Sequence, residues 1–449
     1  MTTVSTVAGG WPFIGHALAF GRNPISFLKD ARSRHGDIFR FKLLGNAVYA
    51  LLSTNGNEAF FRASDDVLDS RDAYRFTVPI FGSGVAYDVS PELMGQQLRL
   101  LHPGLRDDAM QSYATIMADE VEKFARRLGS KGVLDLPSAL NELTIFIAGR
   151  CLLGEEFRSR LSAEFASLYR DLEGGINLVA FVAPGAPTPK NCRRDRARRK
   201  VAAMISGVIA DRRRSKQSRD DFLSVLMTAR YDDNTQLSDD AIAGLLLTLL
   251  FAGQHTSAVM ATWLGVLLMK SPEHYAAVRS EADDVLGDTV LLAKLKSMRQ
   301  MEYCLKESER LYPPLVMLMR RTQQAFEVQG VVIPPGNLVL VSPGVCHREP
   351  RVFRHPDVFD PARFAPPREE DRKTPYSLIG FGGGRHRCIG MAFAHQQIKV
   401  IWGILLQRFE FELLGDLIEP DYATFVVGPR NPCRVRYQQR QPSVRAVAS

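Results

Sequence analysis

Ten residues near the C-terminal end, Phe381-Gly382-Gly383-Gly384-Arg385-His386-Arg387-Cys388-Ile389-Gly390, bring a thiol, cations and backbone freedom into one short loop. Three glycines take turn conformations closed to other residues and let the backbone lie close against a flat ligand. The basic tripeptide suits anionic groups, and Met391-Ala392-Phe393-Ala394 opens a helix just beyond it. The Cys388 sulfur therefore stands near a helix N-terminus, where N–H groups and the macrodipole favour a thiolate. A lone thiolate in a glycine-rich bed, with cations for carboxylates beside it, is what an axial ligand to haem iron requires. Taken alone, Cys388 reads better as a buried structural cysteine after a glycine loop.

Three further stretches carry chemistry. Ser238-Asp239-Asp240 caps a long apolar run through Leu245–Leu250 to Met269, with Gln254, His255, Thr256 and Ser257 at mid-length. Hydropathy alone would allow a membrane span; a helix apolar on all sides is equally a buried core helix, and no basic loop flanks it. Glu307-Ser308-Glu309-Arg310 places Glu307 and Arg310 on one helix face, where they can pair, before Pro313-Pro314 ends the helix. The segment Tyr74–Asp88 is aromatic and broken by Pro79, Gly82 and Gly84, which reads as a loop.

These stretches together resemble the cytochromes P-450, the haem-thiolate monooxygenases. Phe381, Gly384, His386, Cys388 and Gly390 fill every fixed position of that family's cysteine loop, Phe-x-x-Gly-x-(Arg/His)-x-Cys-x-Gly. Ala252-Gly253-x-x-Thr256 resembles its central-helix motif, which settles the long helix as core. Tyr74, Pro79, Phe81, Gly82, Val85, Tyr87 and Asp88 match the signature of one branch, the sterol 14α-demethylases, and so does His255, where most of the superfamily has an acid. Pro356-x-x-Phe359-x-Pro361-x-Arg363-Phe364 matches another family segment.

The resemblance implies a mainly α fold with small β-sheets (α+β), a helix-rich lobe beside a smaller sheet-bearing one, in a single domain over residues 1–449. It implies haem b with Cys388 as the axial iron ligand and Phe381, Gly382, His386, Arg320, Tyr74, Ala252 and Gly253 around the cofactor. Thr256 and His255 would deliver protons. Phe76, Phe81, Leu315, Met317, Phe425 and Val426 would line the substrate cavity, with Phe76 at a position associated with sterol choice. Glu307, Arg310 and Arg363 would form a structural triad holding the cysteine loop. One position departs from the branch: Gly95 stands where a propionate-pairing basic residue is common, and Arg99, one turn later, is the candidate substitute. The implied reaction removes a 14α-methyl group by three oxidations, to alcohol, to aldehyde and then with loss of formate. Electrons would come from NAD(P)H through a separate ferredoxin or flavodoxin-type donor and its reductase. The alternatives are hydroxylation of another steroid or terpenoid, and a haem-binding sensor without turnover.

The elements that must position these residues are legible in outline. Asn23 and Pro24 begin a helix over Pro24–Arg34, Asp37–Lys42 and Ala47–Leu52 alternate as a hairpin of a small N-terminal sheet, and Glu58–Phe61 begins another helix. Ala109–Ala229 is helical by periodicity, interrupted at Ala183–Pro189, which in relatives forms a mobile lid. Phe326–Gln329, Val331–Ile333 and Leu338–Ser342 read as strands of a second sheet, and Thr424–Pro429 as a hairpin tip entering the pocket. With 449 residues, 45% of them hydrophobic, a large core is available. Six scattered cysteines read as reduced thiols, and the N-terminal residues show neither a secretory leader nor an anchor, so a cytoplasmic monomer is expected. The net charge of +8 includes basic runs at Arg193–Lys200 and Arg212–Arg219, read as a solvated helix face or as a surface for an acidic partner or anionic membrane. No nucleic-acid motif is present.

Overall fold

Capping chemistry sets the helix starts. Asn23 Oδ1 accepts from Ser26 N at 2.9 Å to open α1 (Pro24–His35). Ser53 does the same for α2 (Thr54–Arg62) by accepting from Gly56 N, so this helix begins at Thr54 rather than at Glu58. Further along the chain lie α3 (Asp107–Leu128), α4 (Leu136–Leu153), α5 (Ala163–Glu173), α6 (Pro189–Ser215), α7 (Asp239–Met269), α8 (Arg299–Leu311) and α9 (Met391–Arg408), with shorter helices between them. The computed structural model describes residues 4–160, 163–215, 221–287, 290–415 and 417–441.

The strands are β1 (Ser5–Thr6), β2 (Ile38–Leu43), β3 (Asn46–Leu51), β4 (Leu68–Asp69), β5 (Lys131–Asp135), β6 (Leu318–Thr322), β7 (Phe326–Val328), β8 (Val331–Ile333), β9 (Leu338–Val341), β10 (Phe409–Leu413) and β11 (Arg434–Gln439). The expected N-terminal hairpin, β2 with β3, lies in a six-stranded sheet ordered β1-β2-β3-β9-β6-β4. Only β7 and β8 pair as a separate small sheet; β9 runs parallel to β3 instead, because its four buried residues need neighbours on both sides. A strand also interrupts the region read as helical: β5 pairs antiparallel with β11, which pairs with β10.

Helix α7 runs through the core. Ser238 Oγ accepts from Ala241 N at its head, and it packs against α4, α6, α8 and α9. Both α4 and α7 have the length and apolarity of a membrane span, but most of each lies inside the fold. The basic runs are not simply a solvated face. Arg194 and Arg212 of α6 are buried, Arg212 between Asp221 at 2.6 Å and Glu156 at 3.1 Å, and Arg194 Nη1 donates to the Pro184 carbonyl. Residues 216–219 of the second run lie outside the described residues. All six cysteines are free thiols.

Candidate active site

The cysteine loop leads into α9 along a fixed path. Cys388 N donates to the Phe381 carbonyl at 2.8 Å, closing the loop on itself. Gly384 has a φ of +58°, and a Cβ there would lie 2.3 Å from the Phe61 carbonyl; one on Gly383 would lie 2.9 Å from the Phe61 ring. These two glycines thus let the loop seat against α2. Cys388 is exposed. The electrostatic expectation for its thiol is only half met. Desolvation pushes the thiol up, while hydrogen bonds from the backbone at Gly390 and Met391 pull it down, and desolvation is the larger effect.

Behind the loop, Glu307, Arg310 and Arg363 meet with no solvent exposure. Arg310 Nε and Nη2 donate to Glu307 at 2.7 and 2.8 Å, and Arg363 Nε donates at 3.0 Å. Arg310 Nη1 also donates to the His347 carbonyl at 2.8 Å, and His347 Nε2 accepts from Ile379 N at 2.8 Å. Burial lowers His347 to about 3, so the imidazole is neutral and able to accept. The triad therefore reaches the cysteine loop through one buried imidazole.

Beside the loop is a cationic corner. Arg320 on β6 is 3% exposed, donates to the Phe60 carbonyl at 3.0 Å and lies 4.6 Å from the centre of the Phe60 ring. Among the described residues no carboxylate comes within ion-pair distance of it, and desolvation lowers it to about 10. His386 Nε2 lies 2.5 Å from Asp65 Oδ1, and Arg385 Nη1 lies 3.4 Å from Asp65 Oδ2. Burial, with Arg320 nearby, holds His386 below the usual range, against the pull of Asp65. Asp65 follows α2 and carries no sequence signal of its own; it is 321 residues from His386. Arg99 does not belong to this corner. It pairs with Asp232 at 2.7 Å, and its side chain is 59% exposed, so its reading as a substitute for the residue missing at Gly95 fails.

The segment read as a loop is two single 3₁₀ turns around a short helix, Val78–Phe81. Tyr74 stacks on Tyr87 at 5.1 Å, and its hydroxyl accepts from Met319 N at 3.4 Å. Phe76 meets Phe425 at 5.4 Å and Phe181 at 5.8 Å, while Phe81 lies edge-on to Phe251 at 5.9 Å. Phe425 and Val426 sit at a hairpin tip in which Asp421 N donates to Gly428 O, and Val427 N donates to the Pro314 carbonyl beside Leu315. Met317 and Tyr74 pack on the apolar cluster of β2 and β3.

On α7, Ala252 is exposed in the middle of a largely buried helix, and a Cβ on Gly253 would meet nothing within 4 Å. Thr256 Oγ1 donates to the Ala252 carbonyl at 2.6 Å. His255 points elsewhere: its Nδ1 lies 2.9 Å from Glu173 Oε1 at the end of α5. Glu173 had no signal in the sequence.

A family model described as cytochrome P450 matches residues 7–433. The chain is 40% identical to a sterol 14alpha-demethylase of Mycobacterium tuberculosis, over 97% of this chain and 98% of that one. It is 37% identical to a sterol 14-demethylase of Arabidopsis thaliana, over 96% of this chain and 90% of that one. It is also 37% identical to a lanosterol 14-alpha demethylase of Homo sapiens, over 96% of this chain and 85% of that one. Retinoic acid bound cyanobacterial CYP120A1 shares the fold, with a TM-score of 0.87 at 24% identity over 98% of this chain and 100% of that one. With the cysteine loop, the buried triad and the open stretch of α7 in place, the chain belongs to the cytochrome P450 family, on the side of the sterol 14-demethylases.

Proposed function

We propose that this protein is a sterol 14α-demethylase that folds as one domain and works in the cytoplasm. The observation that carries the reading is the aromatic roof. Tyr74 and Phe81 fit the sterol-demethylase signature, Phe76 holds the position associated with sterol choice, and Phe76 and Phe81 meet rings of the hairpin tip and of the residue before Ala252.

The residues present fit haem b. Cys388 is a free thiol two residues before Gly390, the N-cap of α9. Arg320 is a buried cation without a carboxylate partner among the described residues, which suits a propionate, and Tyr74 and His386 flank it. Bound there, the haem supplies dioxygen activation with electrons delivered by a redox partner. The chain's own part is positioning and proton supply. Phe76, Phe81, Leu315, Met317, Phe425 and Val426 present an apolar wall suited to a sterol's fused rings. Ala252 and Gly253 leave room beside it. Thr256 holds a proton on Oγ1, directed to the Ala252 carbonyl at rest. His255 Nδ1 lies 2.9 Å from Oε1 of Glu173, whose side chain is 31% exposed and so in reach of bulk water. Exposed Arg387 and Arg385 beside Cys388 suit an acidic donor of ferredoxin or flavodoxin type, serving a monomer.

The test is a spectral titration of the haem-loaded protein. A 14α-methyl sterol is expected to move the Soret band to shorter wavelength, and a sterol lacking that methyl is expected to move it less. Equal responses would remove the 14α-methyl group from the recognition.

A further inference from the structure

Behind His255 and Thr256, three helices bring amides and hydroxyls together inside the apolar core. Gln254 of α7 is 2% exposed, and its Nε2 lies 3.1 Å from the Asn141 carbonyl, 3.2 Å from Asn141 Oδ1 and 3.2 Å from Thr144 Oγ1, all on α4. Gln397 of α9 is fully buried and donates from Nε2 to the Thr144 carbonyl at 3.5 Å. Both amides are therefore anchored on Thr144. Neither can be turned over, because each nitrogen faces a backbone carbonyl, which only accepts.

Ser257, one turn after Gln254 on the same helix face, is also fully buried. That face continues towards α9: Ala261 O accepts from Trp402 Nε1 at 2.7 Å, and a Cβ on Gly265 would strike the Trp402 ring. Ser257 thus lies between the shared Thr144 and the Trp402 contact. Among the described residues, Gln254 Oε1, Gln397 Oε1 and Ser257 Oγ have no hydrogen-bond partner. Folded proteins rarely bury three such atoms unpaired.

We propose that the junction of α4, α7 and α9 binds one ordered water, which donates to Gln254 Oε1 and Gln397 Oε1 and accepts from the Ser257 hydroxyl. The chemistry of the three groups matches that ligand. Two acceptors and one hydroxyl donor use both hydrogens and a lone pair of a single water, and buried waters make roughly three hydrogen bonds. All three groups are uncharged, so a cation would bring an unpaired charge into the core. The water ties α7 to α9 on the side opposite the residues proposed to handle protons, and so fixes the rotation of α7 at Gly253.

The experiment is a crystal structure of the haem-loaded enzyme at a resolution that shows ordered waters, with melting curves for Ser257→Ala, Gln397→Met and the double variant. The expected result is density within hydrogen-bond distance of all three atoms, and a Tm loss in the double variant smaller than the sum of the two singles, because either change releases the same water. Ser257→Ala alone, the milder change, should keep the haem spectrum. A dry junction in the unmutated enzyme, or additive losses of Tm, would overturn the proposal.

Discussion

His255 and Glu173 are joined across the helix-rich part of the molecule: Nδ1 of the imidazole on α7 lies 2.9 Å from Oε1 of the carboxylate that ends α5. The imidazole next to Thr256 thereby meets a carboxylate whose side chain is 31% exposed. Removing the charge while keeping the shape isolates its part. Glu173→Gln is expected to lower turnover by roughly 10²-fold, the lower range for a positioned proton donor, and to raise the share of electrons lost as peroxide. Sterol affinity should hold. A loss confined to affinity would assign the pair to packing.

Glu309 supplies a pH test. It is 4% exposed on α8 without a salt bridge among the described residues, and a Cβ on Gly380 would lie 2.4 Å from its Oε1, so it rests against the cysteine loop. Burial raises it from 4.5 to about 8. Between those values the folded protein holds a proton that the unfolded chain has lost, so stability falls as pH rises through that window. Each unit of displacement is worth about 1.4 kcal/mol. Glu309→Gln removes this dependence, and the decline of Tm from pH 6 to pH 9 should become shallower than in the unmutated protein. Parallel declines would show that Glu309 does not titrate there.

Asp65 bears on the cationic corner. Its carboxylate contacts both His386 and Arg385. If it orients His386 towards a propionate, Asp65→Asn should speed loss of haem to an excess of apomyoglobin by roughly tenfold, the lower end of the cost of losing such a supporting carboxylate. Removing a negative charge should also raise the reduction potential. An unchanged potential and rate would leave Asp65 as a surface partner of Arg385.

How far the sequence reached follows from how local each signal is. The cysteine loop, the Asn23 and Ser238 caps and the Glu307–Arg310 pair lie within a few residues of their partners, so spacing sufficed. Asp65 and Glu173 meet side chains far away in the chain, and nothing in their neighbourhood marks them; Glu309 sits inside the stretch read for Glu307 and Arg310, where spacing does not show that it rests against Gly380. The start of α2 was misplaced because the Ser53 cap lies before a stretch with two asparagines and a glycine, all poor helix formers. Arg194 and Arg212 read as solvated because a basic run on a helix shows no sign of which residue turns inward; burial was set by Asp221, Glu156 and the Pro184 carbonyl.

Phe76 tests substrate choice. Its ring is 4% exposed and packs between Phe181 and Phe425. If Phe76 lines the substrate wall, its ring would take space that a second methyl at sterol carbon 4 needs, and overpacking costs ~1–3 kcal/mol. The 4α-monomethyl sterol should therefore turn over with a higher kcat/KM than its 4,4-dimethyl counterpart, and Phe76→Leu should narrow the ratio. Equal values for the unmutated enzyme would remove Phe76 from the substrate wall.

As a sterol 14α-demethylase, this haem-thiolate protein takes the 14α-methyl group off a sterol. The direct measurement is formate release, with the haem-loaded enzyme, a 14α-methyl sterol isotopically labelled in that methyl, NAD(P)H, and a ferredoxin with its reductase. The expected result is labelled formate in equal amount to a 14-demethylated sterol, and neither product from Cys388→Ser. A hydroxylated sterol that keeps its 14α-carbon, with no labelled formate, would contradict it.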